Sequence, residues 1–145
     1  MKPDFGPPFP PTFAGRPAHM SSVDFVLWLR LTHQGPLPFE RLFFDVAVGE
    51  GAAIAGDPPA NVRSAWQRIS RPRIDVVGEH AAGWTILELR GAAGPGAIGS
   101  LTVYRDLWLA DPPDDRPLEL VLVTDVFPTN LESSLGKVDI RLMLV

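Results

Sequence analysis

Arg73-Ile74-Asp75-Val76-Val77 and Trp84-Thr85-Ile86-Leu87-Glu88-Leu89-Arg90 are the stretches whose reading decides the fold. Both are rich in β-branched and aromatic residues, and Gly78 to Gly83 between them carries a turn, so they read as a hairpin. Side chains alternate across a strand. Trp84, Ile86, Glu88 and Arg90 therefore share one face, Thr85, Leu87 and Leu89 the other, and Asp75 goes with Arg73 and Val77. The hairpin is expected to bring Asp75 beside Glu88, so that two carboxylates converge next to a guanidinium. Adjacent carboxylates repel unless a hard cation neutralises them, and Mg²⁺, which takes oxygen ligands, can polarise a phosphodiester.

Downstream, the glycine-rich Gly91 to Gly96 releases the chain into a helix over 97–110, which Asp111-Pro112-Pro113 ends. This glycine run lacks both the Lys-Ser/Thr of a phosphate loop and a Gly-x-Gly-x-x-Gly pattern, and reads as a flexible connector. Leu118 to Thr124 is nearly all apolar, as expected of a strand buried on both faces. Asn130 to Leu135 suggests a helical turn, and Val138 to Val145 a last strand. Upstream, Ser21-Ser22-Val23-Asp24 offers N-cap chemistry for a helix over 22–33. Leu42 to Val48 reads as a strand, and Ala60 to Ile69 as a second helix. The resulting order is α-β-α-β-β-α-β-α-β, a mixed α/β sandwich.

Residues 1–20 differ in kind. Six of the sixteen prolines lie in the first seventeen residues, interleaved with Phe5, Phe9 and Phe13, so the segment is neither helix nor central strand. It reads as an extended arm that either folds back on its own domain or lies in a partner's groove. The spacing of the three phenylalanines suits docking, and protein partners or further copies of the chain are expected there. The division is then an arm over 1–20 and a single domain over 21–145.

The 145 residues, 46% of them hydrophobic, are enough for one real core. Thirteen Lys+Arg against seventeen Asp+Glu give a net charge of -4, so no diffuse basic field exists to hold nucleic acid, and any DNA contact has to be local. Absence of cysteine excludes disulfides, thiolate metal sites and cysteine nucleophiles. Apolar runs are only strand-length and no signal-peptide pattern precedes the prolines, so a cytoplasmic protein with no membrane association is expected.

Asp75 followed by Glu88-Leu89-Arg90 on the next strand resembles the PD-(D/E)XK nuclease superfamily, with Arg90 where that family has lysine. Ser100-Leu101-Thr102-Val103-Tyr104 falls where its RecB-like branch carries Gln-x-x-x-Tyr, and the wording through Trp108 is similar to that of small phage-encoded members. The resemblance covers about half of the chain, with the motif core over 73–145. It implies a restriction-endonuclease-like mixed sheet flanked by helices. In an active member Asp75 and Glu88 would bind Mg²⁺, Arg90 would complete the catalytic set, and Ser100 and Tyr104 would lie near nucleic acid. The arginine for lysine and the serine for glutamine imply loss of cleavage. The expected role is then a catalytically silent, cofactor-free structural or protein-interaction module, such as a phage virion or head–tail connector component; the alternative is a Mg²⁺-dependent deoxyribonuclease.

Plainer readings stand beside these. Asp75, Glu88 and Arg90 make an ion-pair ladder on a solvated ribbon face. Tyr104 and Trp108 share one helical face, as packing pairs do. His19, His33 and His80 have no metal-site spacing. Glu50 and Glu79 read as turn residues, and Asp111, Asp114 and Asp115 as an exposed acidic loop. Asp24 and Asp45 are both candidates for a further upstream carboxylate.

Overall fold

β2 (Arg73–His80) and β3 (Gly83–Leu89) form the hairpin, antiparallel from Val76 opposite Leu87 to His80 opposite Gly83, in a computed structural model that describes residues 1–145. The first strand continues past Gly78 because that glycine does not make a turn. A Cβ there would lie 2.5 Å from the ring of Phe39, so glycine admits the ring instead. The reversal shrinks to Ala81 and Ala82.

The sheet has five strands in the order β1-β2-β3-β4-β5. β1 (Arg41–Ala47) lies antiparallel outside β2, whereas β4 (Leu118–Thr124) and β5 (Ile140–Leu144) run parallel to β3. A parallel neighbour needs a crossover, and α3 (Pro95–Ala110) supplies it between β3 and β4. The strand before it, β3, is buried at all seven positions. Trp84 and Ile86 face a core shared with Leu101 and Trp108 of α3, Leu135 of the short α4 (Glu132–Lys137), Leu120 and Leu122. Leu87 and Leu89 face Leu27, Trp28 and Leu31 of α1 (Ser22–His33). The fold is thus a mixed α+β fold, a five-stranded mixed sheet with four helices. Ser21 caps α1, its Oγ accepting from Asp24 N at 3.1 Å. The remaining helix, α2 (Ala60–Ile69), buries none of its residues.

The arm folds back on its own domain. Main-chain groups of Asp4 and Phe9 pair with Ala47 and Leu42 along the outer edge of β1, which removes an open strand edge. Phe5 stacks on Trp84 at 5.0 Å and touches Phe43 and Trp108; Phe9 and Phe13 pack on each other and on Phe44. The rings read as partner-docking groups are therefore occupied within the chain.

At the hairpin end of the sheet, Glu79 is buried rather than placed in a turn. Its carboxylate accepts from Arg41 Nε at 2.6 Å and from Arg116 Nη2 at 2.8 Å. Arg116 also lies over the Trp84 ring at 4.8 Å and pairs with Asp114, which accepts from Trp84 Nε1 at 3.1 Å. Two of the acids expected in turns and loops thus brace the end of the central strands.

Because Phe5 fills a slot between sheet and helix, Phe5→Ala is expected to cost about 3 kcal/mol of stability in urea unfolding, and Phe13→Ala, at the outer rim, less than half of that. Equal small losses would mean that the arm is not seated in solution.

Candidate functional site

Ile74 and Val77 are three apart yet pack in the same core, while Val76 packs in the other, so the strict alternation expected for β2 breaks at Asp75. The partner strand breaks at the same level. Phe44 pairs with Val76 and Val46 with Ile74, and Asp45 between them takes a left-handed φ of 55°. Asp75 consequently does not sit in register with Arg73 and Val77. It lies where the β2–β3 ladder has ended, and its Oδ2 accepts from Leu89 N at 2.9 Å, standing in for a missing strand carbonyl.

Glu88 follows Trp84 and Ile86 on the α3 side, its side chain 5% exposed. Arg90 Nη2 donates to its Oε1 at 2.7 Å, and that nitrogen lies 3.5 Å from Ser100 Oγ. Glu88 Oε2 is the one buried side-chain polar atom without a donor. Burial, and then the nearby charges of Glu88 and Asp75, raise the hydroxyl pKa of Tyr104. The structure therefore brings Asp75, Glu88, Arg90, Ser100 and Tyr104 together, whereas Phe5, Phe9 and Phe13 belong to the arm's aromatic contacts.

Asp24 and Asp45 both lie near Asp75, in different settings. The charge of Asp24, in the first turn of α1, acts on both Asp75 and Glu88; Asp45 is paired with Arg73 at 2.9 Å. Burial first, then the neighbouring Glu88 charge, pushes the Asp75 carboxyl from 3.8 up to about 7, against the opposing Leu89 N–H. Burial raises Glu88 as well, opposed by Arg90. Both shifts favour a proton on the pair. Such a proton, or a cation, is what the orphaned Oε2 lacks.

Two residues outside the expected set hold the site's loop. Asp125 Oδ1 accepts from Ala92 N at 2.8 Å and Thr124 Oγ1 from Ala93 N at 3.2 Å, with Ala92 at a left-handed φ of 44°. The glycine-rich run is therefore clamped to the end of β4 rather than a flexible connector. A Thr-Asp pair closing a buried strand is the signal that could have flagged it.

The residues fit a divalent ion in part. Mg²⁺ often takes only one or two carboxylates and completes its shell with water or phosphate, and Glu88 Oε2 is free for one bond. Against it, Arg90 already neutralises Glu88, Asp75 spends an oxygen on Leu89, and no three acidic or histidine side chains gather closely enough to hold an ion. The hollow against Asp75 measures about 20 Å³, room for one water, and is walled by Pro17 to Met20 of the arm and by Asp45.

A carboxyl whose folded pKa is raised contributes stability that is complete below its unfolded value and is lost as pH rises through the folded one. Asp75→Asn keeps an acceptor for Leu89 N and removes the charge. It should equal wild type near pH 4 and exceed it at pH 8 by at least about 1 kcal/mol in denaturant unfolding. Parallel pH profiles for the two proteins would place the retained proton elsewhere. Beyond its own geometry the chain offers no likeness to argue from, since it matches no protein-family model, no curated protein and no solved structure.

Proposed function

We propose that this chain is a nuclease-like fold that no longer cleaves and that works as a structural, protein-interacting module. One observation carries the reading: the guanidinium of Arg90 is ion-paired to the buried Glu88 at 2.7 Å, so a cation of the chain itself balances the carboxylate that a metal would otherwise use. Arginine is planar, permanently charged and more readily held in such a pair than lysine, and it does not reproduce the compact ammonium of the resembled family. Ser100 reaches only Arg90 and not beyond it.

Contact with a partner is supported by α2, where Val62, Trp66 and Ile69 line one exposed face, 44%, 40% and 65% accessible, and no core lies beneath them. With the arm's rings occupied, this face is the more available surface. A place in a phage virion or head–tail connector rests on the resemblance of the motif wording alone.

The orphaned Glu88 Oε2 favours a second reading, a Mg²⁺-dependent deoxyribonuclease. Asp75 and Glu88 would then hold the ion, which would supply an activated water and charge neutralisation at the phosphodiester. Arg90 would stabilise developing charge, and Tyr104 and Ser100 would lie toward the nucleic acid.

Incubation of linear duplex and single-stranded DNA with Mn²⁺ separates the two. Wild type and Glu88→Ala are both expected to leave the DNA intact, and Mn²⁺ to leave the melting temperature of each unchanged. Cleavage by wild type that Glu88→Ala abolishes would establish the second reading, and cleavage gained in Arg90→Lys would identify the guanidinium as the block.

A further inference from the structure

Away from the carboxylates, the chain after β1 makes an exposed excursion that returns through α2, and its inner side is unusual in charge. Ser64, Gln67 and Arg68 lie on the side of α2 opposite Val62, Trp66 and Ile69, and Arg71 follows just past its C-cap Ser70. All four side chains are hydrogen-bond donors, two of them permanently charged. They line one cavity of about 420 Å³.

Arg71 is only 8% exposed, and buried charges are normally paired. Here no carboxylate lies within ion-pair distance of it or of Arg68; the nine ion pairs of the chain involve neither. Arg71 Nε donates to Gly49 O at 2.7 Å, and Nη2 donates to Lys2 O and Ala47 O at 3.0 and 3.3 Å. These bonds fix the guanidinium plane and leave Nη1 without an acceptor. Nη1 is not sealed in, because Glu88 Oε2 is the only buried side-chain polar atom lacking a partner. The wall is built rather than loose: Ala52 N donates to Ser70 Oγ at 2.8 Å, holding the excursion against the end of α2.

We infer that this cavity is a binding site for a phosphate group, with Arg71 Nη1 and Arg68 as its cationic donors and Ser64 and Gln67 as neutral ones. A single N–H of Arg71 and the whole guanidinium of Arg68 can each make charge-assisted bonds to phosphate oxygens, and the volume leaves room for the group that carries them. Glu50 lines the same cavity without a partner and opposes an anion there. The site is independent of the carboxylate cluster and of either reading of it.

Calorimetric titration of the full chain with inorganic pyrophosphate, against chloride at matched ionic strength, is the test. Wild type is expected to bind saturably, Arg68→Gln to lose at least about tenfold in affinity, and Glu50→Gln to gain. Arg63→Gln, on the same helix but paired with Asp57 and outside the cavity, should bind as wild type does. Arg68 is exposed, so its replacement does not threaten the fold. No binding by wild type, or equal losses in Arg63→Gln and Arg68→Gln, would overturn the inference. Competition then distinguishes the source. A short oligonucleotide that displaces pyrophosphate marks a polynucleotide phosphate, and displacement by a free nucleotide alone marks a small phosphorylated ligand.

Discussion

Burial of β3 on both faces is the constraint from which the rest follows. A strand covered by α1 on one side and α3 on the other must fill every position with apolar side chains or solve a polar one internally. The problem positions are at its two ends. At one end Trp84 Nε1 needs an acceptor and finds Asp114; at the other Glu88 cannot reach bulk water and is met by Arg90. Each end is thus closed by an acid–arginine arrangement. The one at Glu88 is less complete, because one carboxylate oxygen stays without a donor.

That incompleteness separates the two clusters functionally. Both oxygens of Glu79 are taken by Arg41 and Arg116, and nothing is left for a ligand to do. In the Asp75–Glu88 pair, Asp75 accepts from Leu89 and Glu88 from Arg90, the two carboxyls lie beside each other and near Asp24, and burial raises the pKa of both. Buried carboxylates with raised pKa values gather at functional sites, and structural ion-pair networks shift them as well. The alternation break at Asp45 and Asp75 is what aims the carboxylate toward Leu89, and such local irregularities collect where side chains are re-aimed.

Much of this was legible from local chemistry. α1, α2, β4 and the start of β2 lie where capping residues, breakers and apolar runs place them. The convergence of Asp75 with Glu88 followed from hairpin pairing, though not the manner of it. What the sequence does not show depends on partners far along the chain. Gly78 is explained by Phe39, Glu79 by Arg41 and Arg116, and the nearness of Asp24 to the carboxylates by where α1 lies over the sheet. The destination of the arm is of the same kind, since aromatic spacing fixes what can dock and not where. The loop after Arg90 looked flexible because glycine permits many paths, and only the end of β4 selects one.

The seat of Phe5 has a bearing on how the molecule is made. Its walls come from Phe43, Trp84 and Trp108, which lie on β1, β3 and the last turns of α3. During synthesis the arm therefore emerges long before the groove that receives it, and it is among the last parts to settle. Until then the edge of β1 lies uncovered beside a mobile aromatic segment, which is the combination that invites contact between nascent chains. The prolines interleaved with those rings keep the waiting segment from adding to a sheet, guarding it until its own groove has formed.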